Sequence, residues 1–163
     1  MQIRNVRPGD LEQIINIYNQ AVAAGNCTAD IEPLVVDERR EWFAQHSPDK
    51  YPIYVMEEAG IITGWCSLSA HRRGRKALEC VAEISYYVDF SFLGRGIGQR
   101  LISHALHEAP DLGLHNLFAI LLDINKPSIA ILEKNGFSKW GHLPDIAEFP
   151  NRICGQYIYG RKL

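Results

Sequence analysis

Three glycines at alternate positions have the spacing that points most clearly to chemistry: the segment Gly94–Gly98 reads Gly-Arg-Gly-Ile-Gly. It follows a predicted strand and opens a predicted helix. Glycine has no Cβ, so its backbone can approach a ligand closely, and the first-turn N–H groups of a helix have no partner within the helix. With the helix dipole, and with Arg95 and Arg100 nearby, these donors would suit a pyrophosphate. The alternative is a tight turn that binds nothing.

Other kinds of ligand site find less support. The glycines are not spaced as Gly-x-Gly-x-x-Gly, no acidic residue ends a following strand as in a dinucleotide fold, and no Gly-Lys-Ser/Thr marks a nucleoside-triphosphate loop. The six histidines show no metal-ligand spacing, and the four cysteines are scattered without a Cys-x-x-Cys pair. We therefore expect no metal site, and we expect the cysteines to be reduced thiols.

The length, charge and hydropathy of the chain argue against nucleic-acid binders and membrane proteins. A length of 163 residues suits one domain. A net charge of −2 and a pI near 6.3 argue against a general nucleic-acid binder or a polybasic membrane-surface protein. No apolar run approaches the roughly 18 residues of a membrane span, and the N-terminus lacks the apolar region of a signal peptide. We expect one cytoplasmic domain covering residues 1–163, with no nucleic-acid or membrane partner.

The hydrophobic pattern predicts the elements that must hold the glycine segment, an α/β sandwich of order β-α-α-β-β-β-α-β-α-β-β. Asp10 and Gln13 have the spacing of a capping box at the start of the first helix. Loops are expected over Gly25–Val36 and His71–Lys76. The predicted strands are Ile3–Val6, Ile53–Glu57, Ile61–Ser69, Val81–Val88, Leu117–Leu122, Phe137–Leu143 and Gln156–Leu163, and the later helices are Asp37–His46, one after Gly98, and Asn125–Asn135.

Two motifs resemble the GCN5-related N-acetyltransferase (GNAT) superfamily. The segment Leu93–Gly98 is similar to the family's Gln/Arg-x-x-Gly-x-Gly/Ala signature, with Leu93 departing at the first position. A second motif matches at Asn125, Ser128 and Gly136-Phe137. The resemblance covers essentially the whole chain. It implies a three-layer α/β/α sandwich around a mixed, mostly antiparallel, splayed sheet, and acetyl-CoA as co-substrate.

Softer markers resemble the phosphinothricin and methionine sulfone/sulfoximine acetyltransferase branch of that superfamily. They are Ile17-Tyr18-Asn19, Glu32-Pro33, Trp42-Phe43 and Glu83-Ile84-Ser85. This resemblance implies acetyl transfer to the primary amine of a small molecule, an amino acid or a toxic analogue. The alternatives are transfer to another metabolite amine or to a protein N-terminus, and a non-catalytic acyl-CoA-binding module.

Acetyl transfer needs a base to neutralise the amine, and Glu83 is the candidate. It lies on a strand rich in apolar and aromatic residues, where burial would raise the pKa of its carboxyl group. The alternative is a surface carboxylate, or an ion-pair partner of Arg72, Arg73 or Arg75. Leu132 occupies the position where family members carry a tyrosine or histidine as general acid. A proton for the thiolate must then come from solvent or from another group, the candidates being Tyr86, Tyr87, Tyr157 and Tyr159.

The resemblance also assigns binding residues. The strand before the glycine loop is expected to carry a bulge and to splay, exposing backbone at Tyr86, Tyr87 and Val88. The other expected cofactor-binding residues are Gly94, Arg95, Gly96, Ile97, Gly98, Gln99, Asn125 and Ser128, and the substrate-binding residues are Arg72, Arg73, Glu83 and Ser85. Asn125 has a helix N-cap as its alternative role, and Arg72 a solvated turn arginine. The segment Gly141–Phe149 is expected to join the last two strands, as a long hairpin that could reach a neighbouring subunit in a homodimer and line its substrate cleft.

Overall fold

A seven-stranded mixed sheet forms the centre of the computed structural model, which describes all 163 residues. The strand order is β1-β2-β3-β4-β5-β7-β6, and only β4 and β5 run parallel. The strands are β1 Gln2–Asn5, β2 Ile53–Glu58, β3 Ile61–Ala70, β4 Val81–Val88, β5 Asn116–Leu122, β6 Ser138–Phe149 and β7 Arg152–Lys162, and the helices are α1 Leu11–Ala24, α2 Arg40–Ala44, α3 Ile97–Glu108 and α4 Lys126–Lys134.

Helices cover both faces of this sheet, because successive strand residues point to opposite faces. On one face, Leu101 and Leu132 from α3 and α4 pack with strand residues such as Leu68 and Ile84. The other face buries smaller apolar clusters, in which α1 and α2 pack against β2 and β3; the main members are Ile14, Ile17, Ile53, Val55, Ile62 and Trp65. The predicted three-layer α/β/α sandwich is confirmed.

The sheet divides between its two parallel strands. Pairing of β4 with β5 covers only Val81–Glu83 against Asn116–Phe118, and beyond Glu83 the two strands separate. The expected splay is therefore present. The expected bulge in β4 is not, because its ladder with β3 runs without a register shift from Ala82 to Val88. Strand divergence alone opens the sheet here.

The C-terminal hairpin differs from its predicted boundaries. The segment 144–149, expected as a connection, belongs to β6, and β7 begins at Arg152 rather than at Gln156. Pro144 is tolerated because β6 is an edge strand, and because the pairing with β7 is irregular between Leu143 and Ala147. The hairpin is thus two long paired strands.

The start of α1 is another correction. The predicted capping box of Asp10 and Gln13 does not form: the Asp10 carboxylate accepts a hydrogen bond from the backbone N–H of Arg7 at 2.7 Å and pairs with Arg4 at 2.7 Å. The Gln13 side chain instead accepts the N–H of Ile62 at 2.9 Å. Both side chains tie α1 to the sheet rather than to its own first turn.

No helix combines the length and apolarity needed to cross a membrane.

Candidate active site

Two hollows open where β4 and β5 separate, one on each side of the sheet. The α1–α2 cavity has a volume of about 480 Å³ and is walled by side chains including Tyr18 and Trp42. The α3–α4 cleft, of about 580 Å³, is walled by the glycine segment and by α4. Ser85, Tyr87 and Leu121 line both hollows. The two spaces therefore meet at the split in the sheet.

The glycine segment forms one end of the α3–α4 cleft. Gly94 and Gly96 have φ angles of 76° and 73°, in the left-handed region that favours glycine. Gly96 is the N-cap of α3, so the first-turn amides of that helix lie at the cleft without helical partners. Gly98 allows α3 to pack closely on α4, because a Cβ there would lie 3.2 Å from the Ile131 side chain. This is the geometry of an anion site.

Two polar side chains of the segment are engaged elsewhere. The Arg95 guanidinium stacks on the Phe92 ring, with its carbon 4.9 Å from the ring centroid, and lies 3.4 Å from the Glu58 carboxylate. Gln99 exchanges hydrogen bonds of 2.6 and 3.1 Å with the side chain of Asn135, the C-cap of α4. Arg95 does not line the cleft, and Gln99 can offer a ligand little beyond its backbone.

The first turn of α4 forms the opposite wall of the cleft. The Asn125 side-chain oxygen accepts the backbone N–H of Ser128 at 3.3 Å, so the residue is a helix N-cap. Its side-chain amide nitrogen makes no hydrogen bond, and the residue lines the cleft. Leu132 is buried in the same wall and has no proton to donate. The Tyr86 hydroxyl lies at 3.4 Å from the Ser128 carbonyl oxygen, to which it donates.

The four tyrosines that could protonate a thiolate differ in whether they line either hollow. Tyr86 and Tyr87 line the cleft, and burial raises the pKa of each hydroxyl above its ordinary value. Tyr157 and Tyr159 line neither hollow, and the Tyr159 hydroxyl donates to Glu133 at 3.0 Å. Of the four, only Tyr87 lines both hollows, and Tyr86 lines the α3–α4 cleft alone.

The floor of the α1–α2 cavity is a ladder of three cross-strand pairs from β3 and β4. Moving along the strands, these are Trp65 opposite Tyr87, Ser67 opposite Ser85, and Ser69 opposite Glu83. Residues paired in this way project their side chains from the same face of the sheet. Along the strands, the side chains of the floor therefore change from an aromatic pair to a pair of hydroxyls and then to a hydroxyl beside a carboxylate.

Glu83 is the only carboxylate in the lining of this cavity. Burial raises the pKa of its carboxyl group, and no ion pair or hydrogen bond opposes that effect. Pairing with an arginine, the alternative considered for this residue, does not occur. A partly buried carboxylate without a partner has the properties of a general base.

The arginines of the β3–β4 connection separate in the structure. Arg73 lines the α1–α2 cavity, and its guanidinium donates to the Gln45 carbonyl oxygen at 2.9 Å. Arg72 is exposed, has a φ of 51°, and does not line the cavity. Of these two expected substrate-binding residues, the structure brings only Arg73 to the site.

Residues 1–138 match the family model described as an acetyltransferase (GNAT) domain. The chain belongs to the GNAT acetyltransferase family. A protein of Bacillus subtilis (strain 168), named "Putative phosphinothricin acetyltransferase YwnH", is 40% identical over 164 residues, with 100% of this chain and 99% of the relative covered. An L-methionine sulfoximine/L-methionine sulfone acetyltransferase of Salmonella typhimurium (strain LT2) is 30% identical, with 90% of this chain and 85% of the relative covered.

A solved structure agrees with the fold of this GNAT acetyltransferase. The phosphinothricin acetyltransferase of Sinorhizobium meliloti, in complex with acetyl-CoA, superposes with a TM-score of 0.91 at 27% identity. The alignment covers 99% of this chain and 88% of that one. The GNAT enzyme described here therefore has both hollows within a fold that is known with acetyl-CoA bound.

Several side chains of this GNAT site were not expected from the sequence as site residues. Tyr18 is one: its hydroxyl donates to Asp30 at 2.6 Å, and burial together with that hydrogen bond raises its pKa to about 12. Others in the cavity wall are Trp42, Trp65, His46, Arg39 and Gln156. The sequence indicated Tyr18 and Trp42 only as markers of the family branch, and no local signal marked His46.

Proposed function

We propose that the protein transfers the acetyl group of acetyl-CoA to the primary amine of an amino acid or of an analogue such as phosphinothricin, methionine sulfone or methionine sulfoximine. The observation that carries this proposal is the unpaired Glu83 carboxylate, with its raised pKa, on the floor of the α1–α2 cavity and two residues from Ser85, which lines both that cavity and the α3–α4 cleft. The substrates named for the Bacillus and Salmonella relatives support the choice of acceptor.

Acetyl-CoA would lie in the α3–α4 cleft. Its pyrophosphate would accept hydrogen bonds from the first-turn amides of α3, Ile97, Gly98 and Gln99, beside the left-handed glycines Gly94 and Gly96. The pantetheine arm would pair with the β5-facing backbone of Tyr86–Val88, which has no strand partner. Asn125 and Ser128 would contact the arm from α4. Arg95 would add only long-range positive charge.

The acceptor would enter the α1–α2 cavity as an ammonium ion. The Glu83 carboxylate takes one proton, directly or through a water molecule, and the neutral amine attacks the thioester carbonyl carbon. A C–N bond forms and the carbonyl oxygen becomes an oxyanion, which a β4 backbone N–H stabilises. The nitrogen, positively charged after the attack, releases a second proton to solvent, and the C–S bond breaks to give the neutral N-acetyl product and the coenzyme A thiolate. Because Leu132 cannot protonate that thiolate, Tyr86, Tyr87 or solvent does so.

The acceptor class is tested by incubating the protein with acetyl-CoA and a panel of amines. The panel contains phosphinothricin, methionine sulfone, methionine sulfoximine, free amino acids, a polyamine and a short peptide. Acetylated products are detected by mass spectrometry, because Cys27 and Cys80, the two free cysteines that are not buried, would react with a thiol reagent. Turnover of the amino-acid analogues alone supports the proposal, and turnover of only the peptide or polyamine contradicts it.

Residues 1–163 would act as one domain, since β7 inserts between β5 and β6 and completes the sheet beyond the family match.

We further propose a homodimer formed through the β6–β7 hairpin, where Leu143, Ile146 and Ile153 are apolar yet 41%, 52% and 60% exposed. Light scattering on the wild type and on Ile153→Lys tests this, because only a hairpin interface would be lost in the variant. The free cysteines favour a cytoplasmic location.

A further inference from the structure

His46 and Ser69 form a hydrogen-bonded pair in the wall of the α1–α2 cavity. His46 follows α2, and its Nδ1 lies 2.8 Å from the Trp42 carbonyl oxygen. Its Nε2 lies 3.0 Å from the Ser69 Oγ on β3. The imidazole also packs on the Trp42 indole, with ring centroids 4.7 Å apart. Both ring nitrogens are therefore fixed by defined partners.

The partner of Nδ1 determines where the ring proton lies. A backbone carbonyl oxygen can only accept a hydrogen bond, so Nδ1 must carry a hydrogen. Burial and the Arg73 guanidinium lower the pKa of the ring, which keeps His46 neutral near pH 7. In a neutral ring with Nδ1 protonated, Nε2 has a lone pair and accepts. The Ser69 hydroxyl must then donate its hydrogen to His46.

That donation leaves the Ser69 oxygen as an acceptor. Ser69 Oγ has no hydrogen-bond partner in the structure other than His46. Ser69 and Glu83 are direct partners across the β3–β4 ladder, and both line the cavity. An acceptor oxygen therefore stands beside the carboxylate, on the same face of the sheet.

We propose that His46 orients the Ser69 hydroxyl so that the Ser69 oxygen accepts a hydrogen bond from the acceptor amine while Glu83 takes its proton. This inference rests on the proposed function and deepens it. A primary amine keeps two N–H groups after losing a proton to Glu83, and holding one of them directs the nitrogen lone pair. An alcohol has only one O–H, which would go to Glu83 and leave Ser69 unpaired. The pair thus favours amines over alcohols, with Ser69 as a binding residue and His46 as a positioning residue.

The tautomer is tested without any turnover. Long-range ¹H–¹⁵N spectra of the ¹⁵N-histidine-labelled protein, with the His46 signals assigned from His46→Phe, report which ring nitrogen is protonated. We expect a neutral ring protonated at Nδ1, and an Nε2 resonance that moves in Ser69→Ala. A ring protonated at Nε2, or a charged ring at pH 7.5, would overturn the inference.

Kinetics test the contact with the amine. Ser69→Ala should raise the KM of the amine fivefold to tenfold, roughly the value of one hydrogen bond, and leave the KM of acetyl-CoA unchanged. Ser69→Thr, which keeps the hydroxyl, should restore most of the affinity. Ser138→Ala removes an exposed serine at the start of β6 and serves as the matched control.

A double-mutant cycle tests whether His46 acts through Ser69. His46→Phe should raise the amine KM by a smaller factor, and the double variant His46→Phe/Ser69→Ala should be no worse than Ser69→Ala. If the increases in amine KM of the two single variants multiplied in the double variant, His46 would act independently of Ser69, and its positioning role would be overturned.

Failure of this inference and failure of the proposed function give different results. An active wild type whose amine KM is unchanged in Ser69→Ala overturns the Ser69 contact and leaves the acetyltransferase proposal intact. A wild type that binds acetyl-CoA but acetylates no amine in the panel contradicts the proposed acceptor class, and the Ser69 contact falls with it.

Discussion

Glu83 pairs with Phe118 in the last rung of the parallel β4–β5 ladder, and the strands separate immediately beyond it. The candidate base therefore stands at the apex of the split, where an acceptor on one side of the sheet can meet a thioester on the other. Its position follows from where the strand pairing ends. Moving this carboxylate by one residue along β4 would turn it to the opposite face of the sheet.

Glu83→Gln tests the base directly. The amide has nearly the same shape but cannot accept the amine proton, so we expect kcat to fall by a factor of about 10² to 10⁴. Acetyl-CoA should still raise the melting temperature, because the α3–α4 cleft is untouched. Unchanged kcat in the variant would exclude Glu83 as the base.

The pH dependence of kcat/KM should show the environment of Glu83. The reaction needs the carboxylate, and burial raises the pKa of this group above its ordinary value of 4.5. Activity should therefore be lost, as the pH falls, at a higher pH than for an exposed glutamate. His46 and Arg73 also face the cavity, so the profile is compared with that of Glu83→Gln, in which the acid limb should disappear. An identical limb in the variant would assign it to another group.

Gly64 on β3 links the sheet to the start of α3. A Cβ at this position would lie 2.8 Å from the Ile97 side chain and 3.0 Å from the Tyr87 carbonyl oxygen. We expect Gly64→Ala to lower the free energy of unfolding by about 1–3 kcal/mol, as for other overpacked cores. It should also weaken acetyl-CoA binding, because Ile97 begins the helix whose amides face the cleft. Thermal melts and calorimetric titration measure both effects.

Gly9→Ala is the control for that variant. Its Cβ would meet no atom within 4 Å, and its φ is negative. Equal losses of stability in the two variants would contradict the close approach of α3 to Gly64.

Substitution of Arg73 or of Arg72 tests which of these two arginines binds a substrate carboxylate. The sequence predicts both as substrate-binding residues, whereas the structure brings only Arg73 to the cavity lining. Because a charge-assisted hydrogen bond is worth about 1.5–3 kcal/mol, Arg73→Ala should raise the KM of an amino acid about tenfold or more. The KM of the corresponding amino-acid amide, which has no carboxylate, should change little. The reverse result, with Arg72→Ala showing the carboxylate-dependent loss, would contradict the assignment of carboxylate recognition to Arg73.

Local patterns in the sequence were enough to indicate the glycine segment, the face that Glu83 occupies on β4, and the three-layer fold. The glycine segment indicated a strand–helix junction with open amides, since φ angles in the left-handed region favour glycine wherever they occur. The alternation of β4 placed Glu83, Ser85 and Tyr87 on one face, as the structure has them. The three-layer fold and the family followed from these motifs and their order.

Only the tertiary structure decided the partners of individual side chains. Spacing suggested a capping box for Asp10 and Gln13, but Arg4 and Ile62 engage them instead. His46 and Ser69 are 23 residues apart, and no local pattern predicts that one will fix the hydroxyl of the other. Periodicity shows which face of an element a residue occupies. Which atoms meet there depends on how the chain brings distant elements together, and in this protein that packing determines the polar wall of the cavity.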